Sequence, residues 1–189
     1  TQSRLGATTG GRFISLPGGM GINCIKQFVV SGAEQSVALL LPGFSADEDT
    51  IKPVGAALIG ALNSSHWAHD LDNPQNKRFV ADFEKEYGRL PSMYAAQGYD
   101  TAQMIDAAIR DVGGNIEDKG AGRRALEKAN FKSVRGAFRL NDNHYPIQDY
   151  YLREVIRDDR GRITNKNGSK IMSNQPDPLG AGSRVTGGR

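Results

Sequence analysis

At 189 residues, 38% of them hydrophobic and 24% charged, the chain has the composition of a soluble globular protein, long enough for one domain or two small incomplete lobes. Its net charge of +3 is scattered rather than gathered into a basic stripe interleaved with aromatics, which argues against a nucleic-acid partner. The single cysteine, Cys24, excludes an intrachain disulfide and a cysteine-rich zinc site, and no apolar run approaches the ~20 residues that span a bilayer.

The first element in chain order is an apolar strand over Arg12 to Leu16, turned by Pro17-Gly18-Gly19 into a helix from Met20 to Val30 that Gly32 closes. Ser36 to Leu41 is a continuous apolar run of the kind buried on both faces of a parallel sheet, ended by Pro42-Gly43. Ser45 and Glu48 have the spacing of a capping box, and Asp47, Glu48 and Asp49 fall in the first turn of the helix that follows, where the dipole favours negative charge. The polar segment around Trp67 reads as a crossing or a loop. Asn73 or Asp72 caps the next helix, with Pro74 at its first position, Phe79, Val80 and Phe83 on one face and Tyr87-Gly88 at its end. Met93 to Val112 carries a helical stripe rich in small residues, Gly113-Gly114 stops it, and Arg123 to Ala129 gives a short helix. Phe131 to Leu140 leads into an exposed strand and the turn Asn141-Asp142-Asn143. Tyr150 to Arg157 alternates as a strand before the turn Asp159-Arg160-Gly161. From Thr164 to Arg189 periodicity disappears among Gly, Ser, Asn and Pro, which predicts a disordered tail. Strand-loop-helix units in alternation predict a parallel sheet flanked by helices.

The residues that carry chemistry elsewhere have structural explanations here. Gly19-Met20-Gly21 resembles the start of a dinucleotide fingerprint, but the third glycine and the distal acid are missing. His66 and His69, with Asp70 and Asp72 nearby, have metal-ligand spacing without a further histidine or cysteine cluster to support it. Ser45, Ser64 and Ser65 lack a Gly-x-Ser-x-Gly elbow, and first-turn acids such as Asp47 and Asp49 are commoner as dipole partners than as an acid-base pair. The sequence therefore predicts no enzyme, no catalytic residues, no metal and no cofactor.

Several segments, read in order, resemble the type I periplasmic substrate-binding proteins of ABC transporters, in the branched-chain amino acid (Leu/Ile/Val) group, over their C-terminal portion. Phe13 to Phe28 resembles the strand, ligand loop and helix of the second lobe. Leu39-Leu40-Leu41-Pro42-Gly43-Phe44-Ser45 resembles its next strand and binding loop. Lys77 to Val112 resembles the return into the first lobe, including Tyr-Gly-x-x-Pro-Ser-x-Tyr-Ala-x-x-x-Tyr-Asp at Tyr87 to Asp100. The resemblance covers Arg12 to Lys166.

It implies a venus-flytrap α/β fold, present in part, with residues 12–62 in the second lobe, 63–140 in the first lobe with a hinge crossing, 141–163 returning toward the second lobe and 164–189 as a tail. It also implies an extracytoplasmic receptor in the periplasm, closing its lobes on a small ligand and delivering it to an ABC permease and ATPase. Carried over residue by residue, the ligand positions are Gly18, Gly19 and Met20 in one loop, Phe44, Ser45 and nearby Asp47 in the next, and Tyr94 from the other lobe. Because the acid that would meet a ligand ammonium is out of register, an aromatic or aliphatic carboxylate held by hydroxyls, backbone N–H groups and aromatic walls, with Trp67 and His66 as further candidates, fits better than a free amino acid. A fragment of this fold is expected to pair with its missing half or to self-associate, and any export signal is expected outside these residues. The alternatives are a ligand-sensing regulatory module of the same fold and a nucleotide-binding enzyme with a Rossmann-like sheet.

Overall fold

The computed structural model describes residues 10–32 and 37–178. Three parallel strands, β1 (Gly11–Phe13), β2 (Ala38–Pro42) and β3 (Leu62–Ser65), pair in the order β1-β2-β3. Helix α1 (Gly18–Val30) links the first two strands. Between the second and third lie a 3-10 turn at Gly43–Ser45, helix α2 (Glu48–Val54) and a second 3-10 turn at Gly55–Leu58. The chain then forms α3 (Pro74–Tyr87), α4 (Met93–Asp111), α5 (Lys119–Lys128), the short β4 (Arg139–Leu140) and the long strands β5 (Pro146–Arg157) and β6 (Ile163–Gln175). Strand β5 runs antiparallel to β3 through Leu62–Glu154 and Ser65–Tyr151, and its far end pairs with β4.

Helices start and stop where the sequence places their signals. The Asn73 side chain accepts the N–H of Gln75 at the head of α3, Pro74 occupies the first turn, and Gly88 ends the helix in the left-handed region with φ 64°. Ser92 caps α4 by accepting the N–H of Ala95 at 3.2 Å. Helix α5 begins at Lys119, earlier than Arg123, because the Asp118 carboxylate accepts the Ala121 N–H at 2.9 Å.

Apolar residues gather into two bodies. In one, Ile25 and Phe28 of α1 and Ile51 of α2 cover Leu39 and Leu41 of β2, with Val155 of β5 beside them. In the other, Trp67 sits with Phe79 and Val80 of α3 and Met93 and Ala96 of α4, and Phe44 and Tyr151 pack against them. Strand β5 thus serves both bodies, with Val155 in one and Tyr151 against the other. Cys24 is partly buried against the first.

Three expectations are corrected. Strand β2 is buried on one face only, since Leu39 and Leu41 lie under the helices while Leu40 and its neighbour Phe13 face a more open side on which Phe13 is exposed. Ser45 and Glu48 do not form a capping box, because Ser45 lies in the 3-10 turn and donates to the Leu16 carbonyl at 3.0 Å, while Asp47 takes the N-cap position without a side-chain cap bond. The segment around Trp67, read as a crossing or a loop, is irregular chain that follows directly on strand β3. Residues 163–175 form β6 instead of the start of a disordered tail. Backbone pairing with β5 supplies the ladder, and Thr164 and Asn165 are buried at its start, where the Glu48 carboxylate accepts from the Thr164 hydroxyl at 3.0 Å and the Asn165 amide at 3.2 Å. The remainder of the expected tail, from residue 179, lies outside the described residues.

Candidate ligand-binding site

The parallel strands all end at the same side of the sheet, and the loops leaving them carry most of the expected ligand positions. After β1 the chain turns through Leu16 and Pro17 into α1, so Gly18, Gly19 and Met20 form the helix's first turn and all three are exposed, Met20 by 64%. Gly21 follows because no side chain fits: a Cβ there would stand 2.2 Å from the Leu16 carbonyl oxygen. After β2, Gly43 passes so close to β3 that a Cβ would stand 2.8 Å from the Ser64 carbonyl oxygen. Phe44 and Ser45 complete that turn, held by the Ser45 bond to Leu16 and by the Thr50 hydroxyl donating to the Phe44 carbonyl at 3.3 Å.

Asp47 joins this loop to α4. Its Oδ1 accepts the Met93 N–H at 2.9 Å, its Oδ2 has no partner, and the residue is wholly buried. Burial pushes the Asp47 carboxyl up to about 6, against the opposing pull of the Met93 N–H and the Arg153 guanidinium. Asp47 therefore offers no exposed carboxylate to a ligand. Tyr94, next to Met93, is 54% exposed at the head of α4. Phe44 packs among the Trp67 group, which also contains Met93. The structure thus links the loops that carry Phe44 and Ser45, Gly18 to Met20, and Tyr94 through the Ser45–Leu16 and Asp47–Met93 bonds. Trp67 is not a cleft residue, being buried with its indole N–H donated to Asn76 at 2.8 Å.

Beneath these loops lies a buried polar network that the sequence reading missed. Arg153 of β5 donates through Nε to Asn63 Oδ1 at 2.7 Å, and through its two terminal nitrogens to the carbonyls of Trp67 at 3.1 Å and Gly43 at 3.4 Å. Asn63 in turn donates to Asn165 at 2.7 Å. A signal for Arg153 exists in the sequence: in a strand of period two it shares parity with Val155 and Tyr151, the residues that face the core. A second network ties Asp100 of α4 to Arg135 at 2.9 Å, to the Ser133 hydroxyl and to the Val134 N–H.

His66 lies between these networks. Gln97 of α4 reaches its Nε2 at 3.1 Å and the ring meets Tyr150 of β5 edge-on, 6.4 Å between centroids. Burial, reinforced by the charges of Arg135 and Arg153, pulls the imidazole down to about 4, so it is neutral at pH 7. His66 and His69 belong to no metal-ligating group: among the described residues, no three His, Cys, Asp or Glu side chains assemble to hold an ion. Near Tyr150 a depression of about 550 Å³ opens, lined in part by Ser64, Gln148 and Met172.

The model of the periplasmic binding protein family matches residues 6–161. The chain belongs to the periplasmic binding protein family. Its relatives in that family include Leu/Ile/Val-binding protein homolog 6 of Brucella melitensis, 30% identical over 176 residues that make up 89% of this chain and 44% of that protein. An ABC-transporter solute-binding protein from R. palustris, solved with benzoate, aligns with a TM-score of 0.77 at 31% identity, over 88% of this chain and 44% of its own. Another from Rhodopseudomonas palustris BisB5, solved with 3,4-dihydroxybenzoic acid, aligns with a TM-score of 0.74 at 28% identity, over 88% of this chain and 46% of its own. These family relatives are solute-binding proteins, not enzymes, and the chain spans less than half the length of each. The type I periplasmic-binding fold implied by the resemblance is thus present in part. Among the described residues, no helix is long and apolar enough to cross a membrane.

Proposed function

We propose that the chain is part of an extracytoplasmic solute-binding receptor of an ABC importer, working in the periplasm and taking a small carboxylate between two lobes. The two apolar bodies are the lobes, and the strands that serve both are the crossing between them. The observation that carries the reading is the junction at the strand ends. Ser45 holds the loop bearing Phe44 to the loop before Gly18, Gly19 and Met20, while Asp47 holds it to the helix start that presents Tyr94. Met20, Phe44 and Tyr94 supply apolar walls and the backbone N–H groups of the α1 turn supply polar contacts, while Ser45, buried and bonded to Leu16, holds the two loops together. No cofactor enters this chemistry. The partners are an ABC permease and its ATPase.

An aromatic carboxylate is the favoured ligand. Two similar solute-binding proteins were solved with benzoate and with 3,4-dihydroxybenzoic acid. Asp47, the acid closest to the position that would meet an ammonium, is buried, so an amino acid's charge would lack its partner. A branched-chain amino acid is a second reading, favoured by the Leu/Ile/Val-binding name of a relative.

A thermal-shift panel on the complete polypeptide separates the readings. Ligand at about 100 times its Kd stabilises a protein by about 2.7 kcal/mol. The expected result is a rise in Tm with benzoate, with little or none for leucine and none for ADP. A rise with leucine alone transfers the assignment to amino acids, and a rise with ADP alone overturns the receptor reading.

A further inference from the structure

We propose that a depression between α3, α4 and the segment following α5 is a second binding site, for a small anion carrying two or more negative charges. It is lined in part by Arg78 of α3, Arg110 of α4 and Lys132, and it shares no lining residue with the proposed ligand cleft. Its volume of about 520 Å³ is that of a small-molecule site. Among the described residues, no aspartate or glutamate lines it. Arg78 and Arg110 meet carboxylates only along their own helices, at Asp82 (3.5 Å) and at Asp106. Such exposed pairs one helical turn apart contribute little and yield to a stronger partner. Lys132 forms no ion pair among the described residues. Three cations without an acid between them focus a positive potential in the concavity.

The walls of the depression are fixed to one another. The Asn73 side chain at the head of α3 donates to the Ser133 carbonyl at 2.9 Å, and Asp100 of α4 accepts from the Ser133 hydroxyl and, at 2.9 Å, from the Val134 N–H. The main chain beside Lys132 is thereby held between the two helices that carry the arginines, so an anion has only side chains to order. The first N–H groups of α3 are not what the site offers, since Pro74 has none and that of Gln75 goes to Asn73 at 2.9 Å. Guanidiniums take phosphate or carboxylate oxygens through paired N–H groups, and an ammonium takes them as a point charge. The Gln103 amide adds a neutral donor. A monovalent anion engages these cations one at a time, whereas a polyphosphate or polycarboxylate engages them together.

The experiment is titration calorimetry on the complete polypeptide at about 0.15 M salt, where charges are screened over about 8 Å, with pyrophosphate and citrate as probes and acetate as the monovalent control. Saturable binding of pyrophosphate or citrate with a Kd on the order of 1 mM or tighter is expected, with acetate at least about tenfold weaker. The tighter of the two probes assigns the ligand to the phosphates or to the polycarboxylates. Arg78→Gln, Arg110→Gln and Lys132→Gln, all at exposed positions, are each expected to weaken the bound probe about three- to tenfold. Lys166→Gln, an equal change of charge at an exposed position on β6 outside the depression, is expected to leave binding within about twofold. Saturating benzoate is expected to leave it unchanged. Absence of saturable binding, equal affinity for acetate, equal weakening in Lys166→Gln, or displacement of the probe by benzoate each overturns the second site. The receptor reading is decided separately, by binding of benzoate or leucine.

Discussion

Asp47 and His66 are expected to pull the pH dependence of stability in opposite directions over almost the same range, and substituting either one exposes the other. The Asp47 carboxyl is raised from 3.8 to about 6 by burial, so its contribution is fully present below about pH 3.8 and is lost as pH rises through about 6. The His66 imidazole is lowered from 6.5 to about 4, so its contribution is present above about pH 6.5 and is lost as pH falls through about 4. A tenfold change in proton affinity between the folded and unfolded chain corresponds to ~1.36 kcal/mol, so each group is worth about 3 kcal/mol across its range. Near pH 5 each contributes a slope of about 1 kcal/mol per pH unit, and the two nearly cancel. Urea unfolding of the unsubstituted protein, Asp47→Asn and His66→Gln between pH 4.5 and 5.5 measures this directly. Relative to the unsubstituted protein, stability of Asp47→Asn should climb with pH by about 1 kcal/mol per unit and that of His66→Gln should fall by about the same. The slopes, not the absolute stabilities, carry the test, because every other titrating group is common to all the proteins. Parallel slopes in the three would refute the argument that burial governs these two groups.

Arg153→Lys should cost about 3 kcal/mol, because one ammonium cannot serve the Asn63, Trp67 and Gly43 oxygens that the guanidinium holds together; a urea midpoint within experimental error of the unsubstituted protein's would remove that network from the account. Gly21→Ala should cost at least ~2 kcal/mol, since its methyl would stand 2.2 Å from the Leu16 carbonyl oxygen and the α1 turn would have to shift; the Tm reports the loss, and it should be accompanied by weaker ligand binding. Glu48→Gln should loosen the start of β6 by about 1 kcal/mol, seen as faster amide hydrogen exchange at Asn165 with little change in α3.

Much of the fold was legible because its signals are local. Asn73-Pro74 and Gly88 bound α3, Gly113-Gly114 follows the end of α4, and the apolar run ending at Pro42 is a strand, each for reasons confined to a few residues. What escaped the sequence depends on distant partners. Strand β6 has little apolar content of its own and is ordered by its ladder to β5 and by Glu48, which is 116 residues from Thr164. Ser45 and Glu48 have capping-box spacing, yet Ser45 is drawn instead to Leu16, 29 residues away. At the candidate site, the loop positions could be read by resemblance. Gln97 could not, since nothing in an α-helical stripe says which polar residue will meet His66 across 31 residues. Trp67, a further cleft candidate in the sequence, is placed in the core by its burial and by the Asn76 bond to its indole.

The central claim is that loops from both apolar bodies close on a small carboxylate, with Tyr94 as the wall from one side. Isothermal titration of the complete polypeptide with benzoate, repeated for Tyr94→Ala, tests it most directly. The account predicts saturable binding at one site per chain, weakened about tenfold or more by the substitution. Binding that is indifferent to Tyr94, or no binding of benzoate or leucine by a folded protein, would contradict it.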